Sequence, residues 1–141
     1  MGEHLIRLRG GWEATLQGTD DAPSQRISLP AHLSADWHGR VRLIRRFGRP
    51  RVDWPNESLS LRMLRVPGLA RVTLNGRLLV VPGMTGDSIE FRDVDLAERN
   101  ELVLEVLVPA ALRVDASEAP WWGEIALVVH SGPVSRVEPL A

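Results

Sequence analysis

The chain of 141 residues has the usual length of a single domain, and its lack of cysteine excludes disulfides and thiolate metal sites. Its 17 basic residues nearly balance its 18 acidic ones, so the net positive charge typical of nucleic-acid binders is missing. Every basic residue is arginine, whose planar, forked guanidinium group favours planar or carboxylate ligands.

The first residues contain no apolar segment of the kind found in signal peptides. The longest uninterrupted apolar run, Ile125 to Val129, is far too short to cross a bilayer. We therefore expect a soluble, cytoplasmic protein with no membrane partner. No linker or internal repeat divides the sequence, so residues 1–141 are expected to form one domain.

Alternating apolar and polar residues predict β-strands along most of the chain. The alternation is clearest in Asn100–Val108, where leucine or valine alternates with glutamate. In Ser58–Val66 the apolar face changes after Met63, which predicts a bulge or a bend between sheets. In chain order the predicted strands are Leu5–Arg9, Glu13–Gln17, Arg26–Leu29, Val41–Phe47, Ser58–Val66, Ala70–Leu74, Ser88–Arg92, Asn100–Val108 and Ile125–His130.

A β-hairpin is predicted where the strand Ala70–Leu74 runs into Asn75-Gly76. Asn-Gly between two apolar runs is the strongest short-range hairpin signal, because both turn residues must accept a positive φ. A two-residue turn there pairs Leu74 with Arg77.

Many short strands separated by glycine and proline, with no helical stripe, predict an all-β fold built as a sandwich or barrel. The core is expected over about residues 5–130, with 131–141 as a C-terminal tail. Arg45 shares the parity of inward-facing residues, which favours a structural ion pair or a strand-end position. The predicted core side chains are Leu8, Trp12, Leu43, Phe47, Leu61, Val72, Leu74, Phe91, Leu102, Leu104, Val106, Ile125, Leu127 and Val129.

Several motifs occur in an order that resembles one known family. The motifs are Ile6-x-Leu8-x-Gly10-Gly11-Trp12, the arginine-rich segment Gly39–Phe47, the hairpin Ala70–Gly76, the segment Phe91–Leu96 and Trp122-Gly123-Glu124-Ile125. Together they resemble the N-terminal sugar-binding domain of family 2 glycoside hydrolases, over about residues 5 to 130. One departure follows the hairpin: Val80–Met84 stands where the family often has a glycine and a histidine-containing loop.

The resemblance implies an antiparallel β-sandwich of the jelly-roll, galactose-binding-like type. It also implies a module without catalytic residues, because the full enzymes carry their catalytic carboxylates on a separate barrel domain.

Tryptophans in the predicted loops are the best candidates for binding a saccharide. Sugar rings present apolar C–H faces that pack on aromatic planes, while their hydroxyls need fixed polar partners. Trp121 and Trp122 lie beside Glu124, and Trp54 lies close to Asn56, and these five residues are the predicted ligand-binding set. Each tryptophan has the alternative role of a buried core side chain.

No spacing in the sequence marks a pair of catalytic carboxylates, a nucleophile motif or a set of metal ligands. We therefore expect no enzyme activity, no cofactor and no bound metal. The favoured function is saccharide binding by a non-catalytic module. The alternative is protein–protein interaction or homodimer assembly without a sugar ligand.

Overall fold

The computed structural model describes residues 2–16, 24–32, 39–52, 56–66, 68–79, 88–92, 94–108 and 121–131, which contain twelve β-strands and no helix. These residues also contain no helix that could span a membrane. The strands are β1 (Gly2–Arg7), β2 (Trp12–Leu16), β3 (Gln25–Ile27), β4 (Ala31–His32), β5 (Gly39–Gly48), β6 (Glu57–Leu64), β7 (Leu69–Leu74), β8 (Arg77–Leu79), β9 (Ser88–Phe91), β10 (Arg99–Val108), β11 (Trp121–Trp122) and β12 (Glu124–Ser131).

Two antiparallel sheets and one short ribbon are built from these strands. The four-stranded sheet has the order β1-β12-β6-β9, and the six-stranded sheet has the order β3-β2-β5-β10-β7-β8. The ribbon pairs β11 with β4, joining Trp121 to His32 and Trp122 to Ala31. Inward-facing side chains of both sheets form one buried cluster, so the predicted all-β antiparallel sandwich is confirmed.

The core follows the alternation read from the sequence. All of the predicted core side chains are buried except Phe47 and Phe91, which are half-buried and pack against the cluster. Trp12 is fully buried, and its indole Nε1 donates a hydrogen bond to the carbonyl oxygen of Leu8 at 2.7 Å. This bond satisfies the polar atom that a buried tryptophan brings into the core.

The Asn75-Gly76 hairpin is confirmed: φ is 53° at Asn75 and 80° at Gly76, and Leu74 pairs with Arg77. The Asn75 side chain also ties the turn to β10. Its Nδ2 donates to Oδ1 of Asn100 at 2.9 Å, and its Oδ1 accepts from the main-chain N–H of Glu101 at 2.8 Å. Asn100 is 3% exposed, so the hairpin is anchored on a buried amide.

The change of apolar face after Met63 is a bend between sheets, which is one of the two expected causes. β6 of the four-stranded sheet ends at Leu64, Arg65 takes a left-handed φ of 56°, and the next strand, β7, belongs to the six-stranded sheet. Two other local expectations were wrong in detail. Arg45 donates to the carbonyl oxygens of Gly10 and Arg46, and no carboxylate pairs with it in the described part of the chain. The first strand begins at Gly2 rather than Leu5, because its polar start pairs with β12 through the main chain.

At the other end of the chain, β12 extends one residue beyond the expected core limit and ends at Ser131. The rest of the expected tail, residues 132–141, lies outside the described residues.

Candidate functional site

The outer face of the four-stranded sheet, the side turned away from the core, carries a connected cluster of polar side chains. In β12 the residues Ile125, Leu127 and Val129 point into the core, which turns Ala126 and Val128 outward. Val128 is nevertheless 0% exposed and Ala126 only 9%. Side chains from the neighbouring strands must therefore cover the middle of this face.

Arg62 of β6 provides a large part of that cover. Its Nε donates to Oε1 of Glu90 on β9 at 2.7 Å, and its Nη2 donates to Oε2 of Glu3 on β1 at 3.0 Å. To reach Glu3 from β6, the side chain must cross β12, which lies between the two strands. The crossing accounts for the burial of Val128 and links all four strands of the sheet.

His130 of β12 lies within the same cluster. Its Nδ1 is 3.5 Å from Oε2 of Glu3, and its Nε2 is 3.7 Å from Oε2 of Glu90 and 3.1 Å from Oγ of Ser60. A serine, a histidine and a carboxylate thus stand in the order used by hydrolytic triads. A nucleophile must be reached by its substrate, however, and Ser60 is only 2% exposed. The cluster is therefore best explained as structural.

The charges in this cluster also argue against a cation site. The Arg62 guanidinium binds both glutamates, so a metal ion would have to displace a positive charge. Among the described residues, no group of three or more histidine, cysteine, aspartate or glutamate side chains is arranged to hold a metal ion.

The Glu3–Arg62 pair makes stability depend on pH. The hydrogen bond from Arg62 holds the pKa of Glu3 below its ordinary value, and the two carboxylate contacts raise the pKa of Arg62. A carboxyl group whose pKa is lowered by folding stabilises the fold above its unfolded pKa, and this contribution is lost as the pH falls through the folded pKa. We expect Glu3→Gln to be less stable than wild type at pH 7, with the difference shrinking below about pH 4.

Urea midpoints measured between pH 3 and pH 7 check this expectation. Glu98→Gln is the matched control, because it removes an exposed glutamate just before β10, on the six-stranded sheet. A wild-type advantage over Glu3→Gln that is equal at pH 3 and pH 7 would contradict the assignment.

A depression adjoins the cluster where β1 ends and β12 begins, and we call it the arginine cleft. It has a volume of about 130 Å³. Its lining combines charged side chains with apolar ones. Leu5 and Leu64, each 37% exposed, are the apolar side chains that we call the leucine floor. The lining residues are Leu5, Arg7, Arg9, Leu29, Pro30, Arg62, Leu64, Glu124, Ile125 and Ala126.

Main-chain hydrogen bonds fix the backbone around the arginine cleft. The N–H of Leu8 donates to the carbonyl oxygen of Ile125 at 2.9 Å, and the N–H of Leu29 donates to that of Arg9 at 2.7 Å. The N–H of Gly123 donates to the carbonyl oxygen of Arg65 at 2.8 Å. Gly123 has a φ of 87°, and a Cβ there would lie 3.3 Å from Cδ1 of Leu29, so glycine suits this position both by conformation and by space.

Two arginines of the arginine cleft have no carboxylate partner in the described part of the chain. Arg7 and Arg9 have no carboxylate within 4.0 Å, whereas Arg62 is bonded to Glu3 and Glu90. Glu124 is already shared with Arg65, whose Nε lies 3.7 Å from its Oε2.

The structure separates the residues of the predicted ligand-binding set. Trp122 is 0% exposed in the core, so its ring has no face to offer a ligand, and the alternative role as a core side chain is the one observed. Glu124 is half-buried and lines the arginine cleft. Trp121 precedes Trp122 in the ribbon strand β11, where the description is limited to its main chain. Trp54 lies outside the described residues.

Asn56 lies at the opposite end of the sheet from Glu124. It precedes β6, whereas Glu124 pairs with Leu64 at the end of β6, and eight residues of strand separate the two ends by about 26 Å. One small ligand therefore cannot contact Asn56 and Glu124 together.

The sequence reasoning missed Arg7, Arg9, Arg62 and His130. A usable signal was present in the alternation. Leu8, Leu61 and Val129 point inward, so the polar side chains next to them in the sequence point outward.

By its fold and this polar face, the chain is an all-β sandwich module with a small cleft, lined by polar and apolar side chains, on one sheet. No protein-family model and no curated protein sequence matches the chain. Solved structures do match it. An FMN-binding beta-glucuronidase from Faecalibacterium prausnitzii L2-6 superposes with a TM-score of 0.68 at 17% identity, over 92% of this chain and 23% of that one.

Two further enzymes give the same result. A putative beta-galactosidase from Bacteroides fragilis has a TM-score of 0.66 at 15% identity, over 93% of this chain and 24% of its own. A beta-glucuronidase from Bifidobacterium dentium has a TM-score of 0.66 at 16% identity, over 92% and 30%. The chain thus spans less than a third of these enzymes. The resemblance to a domain of glycoside hydrolases is confirmed at the level of fold.

Proposed function

We propose that the chain is a non-catalytic carbohydrate-binding module and that a saccharide binds in the arginine cleft. The observation that carries the proposal is the combination of a partly exposed leucine floor with charged side chains on a hydrogen-bonded backbone. Such a surface suits a sugar, because its ring has apolar C–H faces and a rim of hydroxyl groups that need fixed partners.

The fold likeness supports this proposal in one further way. The matching structures are glucuronidases and a galactosidase, enzymes that act on sugars, and this chain corresponds to a part of each. Folds host many functions, so the proposal rests on the cleft and the likeness only favours it.

Replacing Leu64 with serine is expected to weaken saccharide binding by about 1 kcal/mol, roughly five-fold in Kd, because apolar area is lost from the floor of the cleft. Leu64 is 37% exposed at the end of β6, so its replacement also removes some packing, and a thermal melt of each variant separates that loss from lost binding. A glycan array finds a ligand, and titration calorimetry then measures its Kd with each variant.

Leu107→Ser is the matched control. Leu107 is a leucine of the six-stranded sheet that is 46% exposed, so its replacement removes similar area far from the arginine cleft. Equal Kd values for wild type and Leu64→Ser, alongside measurable binding, would place the saccharide elsewhere. No binding to any glycan on the array would overturn the proposal.

The alternative proposal is an assembly module with no sugar ligand, and one observation favours it. Leu78 is 58% exposed on β8, the edge strand of the six-stranded sheet. An exposed apolar residue on an edge strand is a site where a second chain can pair. Light scattering discriminates the two proposals: a stable dimer without glycan binding supports assembly, and a monomer that binds a glycan supports the carbohydrate module.

A further inference from the structure

We infer that the ligand of the arginine cleft carries a carboxylate, as a uronic-acid saccharide does, and that Arg7 and Arg9 bind it. This inference rests on the proposed function and adds the chemical class of the sugar. It begins from the direction of the two side chains. Leu8, between them, is 3% exposed and belongs to the core, so in the extended chain Arg7 and Arg9 both point to the outer face.

The backbone that carries the two arginines is held on both sides. Arg7 pairs with Ala126 in the antiparallel ladder, and the N–H of Leu8 is bonded to the carbonyl oxygen of Ile125. The carbonyl oxygen of Arg9 accepts the N–H of Leu29. The two side chains therefore start from fixed points about 7 Å apart. Because the backbone is already ordered, binding loses little free energy in ordering it.

Neither guanidinium group is neutralised within the described part of the chain. Neither Arg7 nor Arg9 has a carboxylate within 4.0 Å, which is also true of other arginines such as Arg42. These two differ in that they line one cleft together, where the third arginine, Arg62, is already bonded to Glu3 and Glu90. Glu124, the one carboxylate lining the arginine cleft, is shared with Arg65.

Local charge then selects the ligand. The whole chain has a net charge of −1, yet two guanidinium groups of the arginine cleft, those of Arg7 and Arg9, have no carboxylate partner among the described residues, and the one carboxylate of the lining is shared with Arg65. A neutral sugar would leave the repulsion between these cations unchanged, while an anionic group would relieve it. A planar carboxylate matches the planar fork of arginine in a two-bond contact, and the leucine floor is left for the C–H face of the ring.

Titration calorimetry with three probes tests the inference. The probes are trigalacturonic acid, its carboxyl-reduced neutral counterpart and a sulfated trisaccharide of the same backbone. We expect trigalacturonic acid to bind at least about ten-fold more tightly than the neutral counterpart at low salt, and the ratio to fall as salt is raised. Sodium acetate as a fourth titrant should bind far more weakly, because it lacks the ring.

Arg7→Gln and Arg9→Gln are each expected to weaken trigalacturonic acid binding by about ten-fold and to leave binding of the neutral counterpart unchanged. Arg42→Gln is the matched control: it removes an exposed, equally charged side chain from β5 of the other sheet and should change neither Kd. Thermal melts of these three variants should coincide with that of wild type, since Arg7, Arg9 and Arg42 are all exposed.

Each outcome has a distinct meaning. If the acidic and neutral probes bind equally, or if Arg42→Gln weakens the acidic probe as much as the cleft variants do, the inference fails while the proposed function stands. Tighter binding of the sulfated probe overturns the carboxylate assignment. Failure of all three saccharides and of every glycan on the array overturns the proposed function itself.

Discussion

Replacing Trp122 with alanine is expected to lower the free energy of unfolding by about 3–5 kcal/mol, because it removes the largest class of side chain from a fully buried site. Trp122 is 0% exposed and is the last residue of β11. The next residue, Gly123, has a left-handed φ and lies close to the side chain of Leu29. Urea denaturation of wild type and variant, monitored by far-UV circular dichroism, measures the loss.

The same variant also tests the sequence interpretation that placed Trp122 in a binding site. A variant that keeps its urea midpoint but no longer binds a saccharide would show that the ring faces a ligand. A large loss of stability, with any remaining folded protein still binding sugar, supports the core position.

Replacing Leu104 with alanine is expected to destabilise the domain by about 2–5 kcal/mol, through lost burial and the cavity left behind. Leu104 is 0% exposed in β10, between Leu43 on β5 and Val72 on β7, at the centre of the six-stranded sheet. Neighbouring strands hold it on both sides, so the site is poorly placed to collapse.

Leu107→Ala is the control for this substitution, because Leu107 lies on the same strand with 46% of its surface exposed. It should shift the urea midpoint only slightly. Equal shifts for the two variants would mean that the face assigned to Leu104 is wrong, and with it the register of β10.

Strands with a regular alternation were predicted well from the sequence. Asn100–Val108 lies within β10, and the Asn-Gly turn has the φ values that its residues require. Local sequence patterns did not predict strands whose pairing depends on main chain that is distant in the sequence. β4 and β11 have two residues each, which is too few to show a period, and their pairing joins segments about ninety residues apart.

The candidate site was predicted only in part, because loop tryptophans were given more weight than strand arginines. Glu124 was anticipated and lines the arginine cleft, whereas Trp122 turned out to be core. The arginines could not have been grouped from the sequence alone. Arg7 and Arg62 share the cleft only because β12 joins β1 to β6, and strand order is not encoded in any local pattern.

The position of β12 has a consequence for the order in which the protein is made. β1 is synthesised long before β12, its ladder partner, and β6 has its longer pairing with the same strand. On a ribosome that adds about 5–20 residues each second, β1 must wait several seconds with its hydrogen-bonding groups unpaired. During that interval the six-stranded sheet has all its strands available, since β2, β3, β5, β7, β8 and β10 precede β12. The nascent chain can therefore assemble one half of the sandwich while the other half, with its arginine cleft, awaits the strand at residues 124–131.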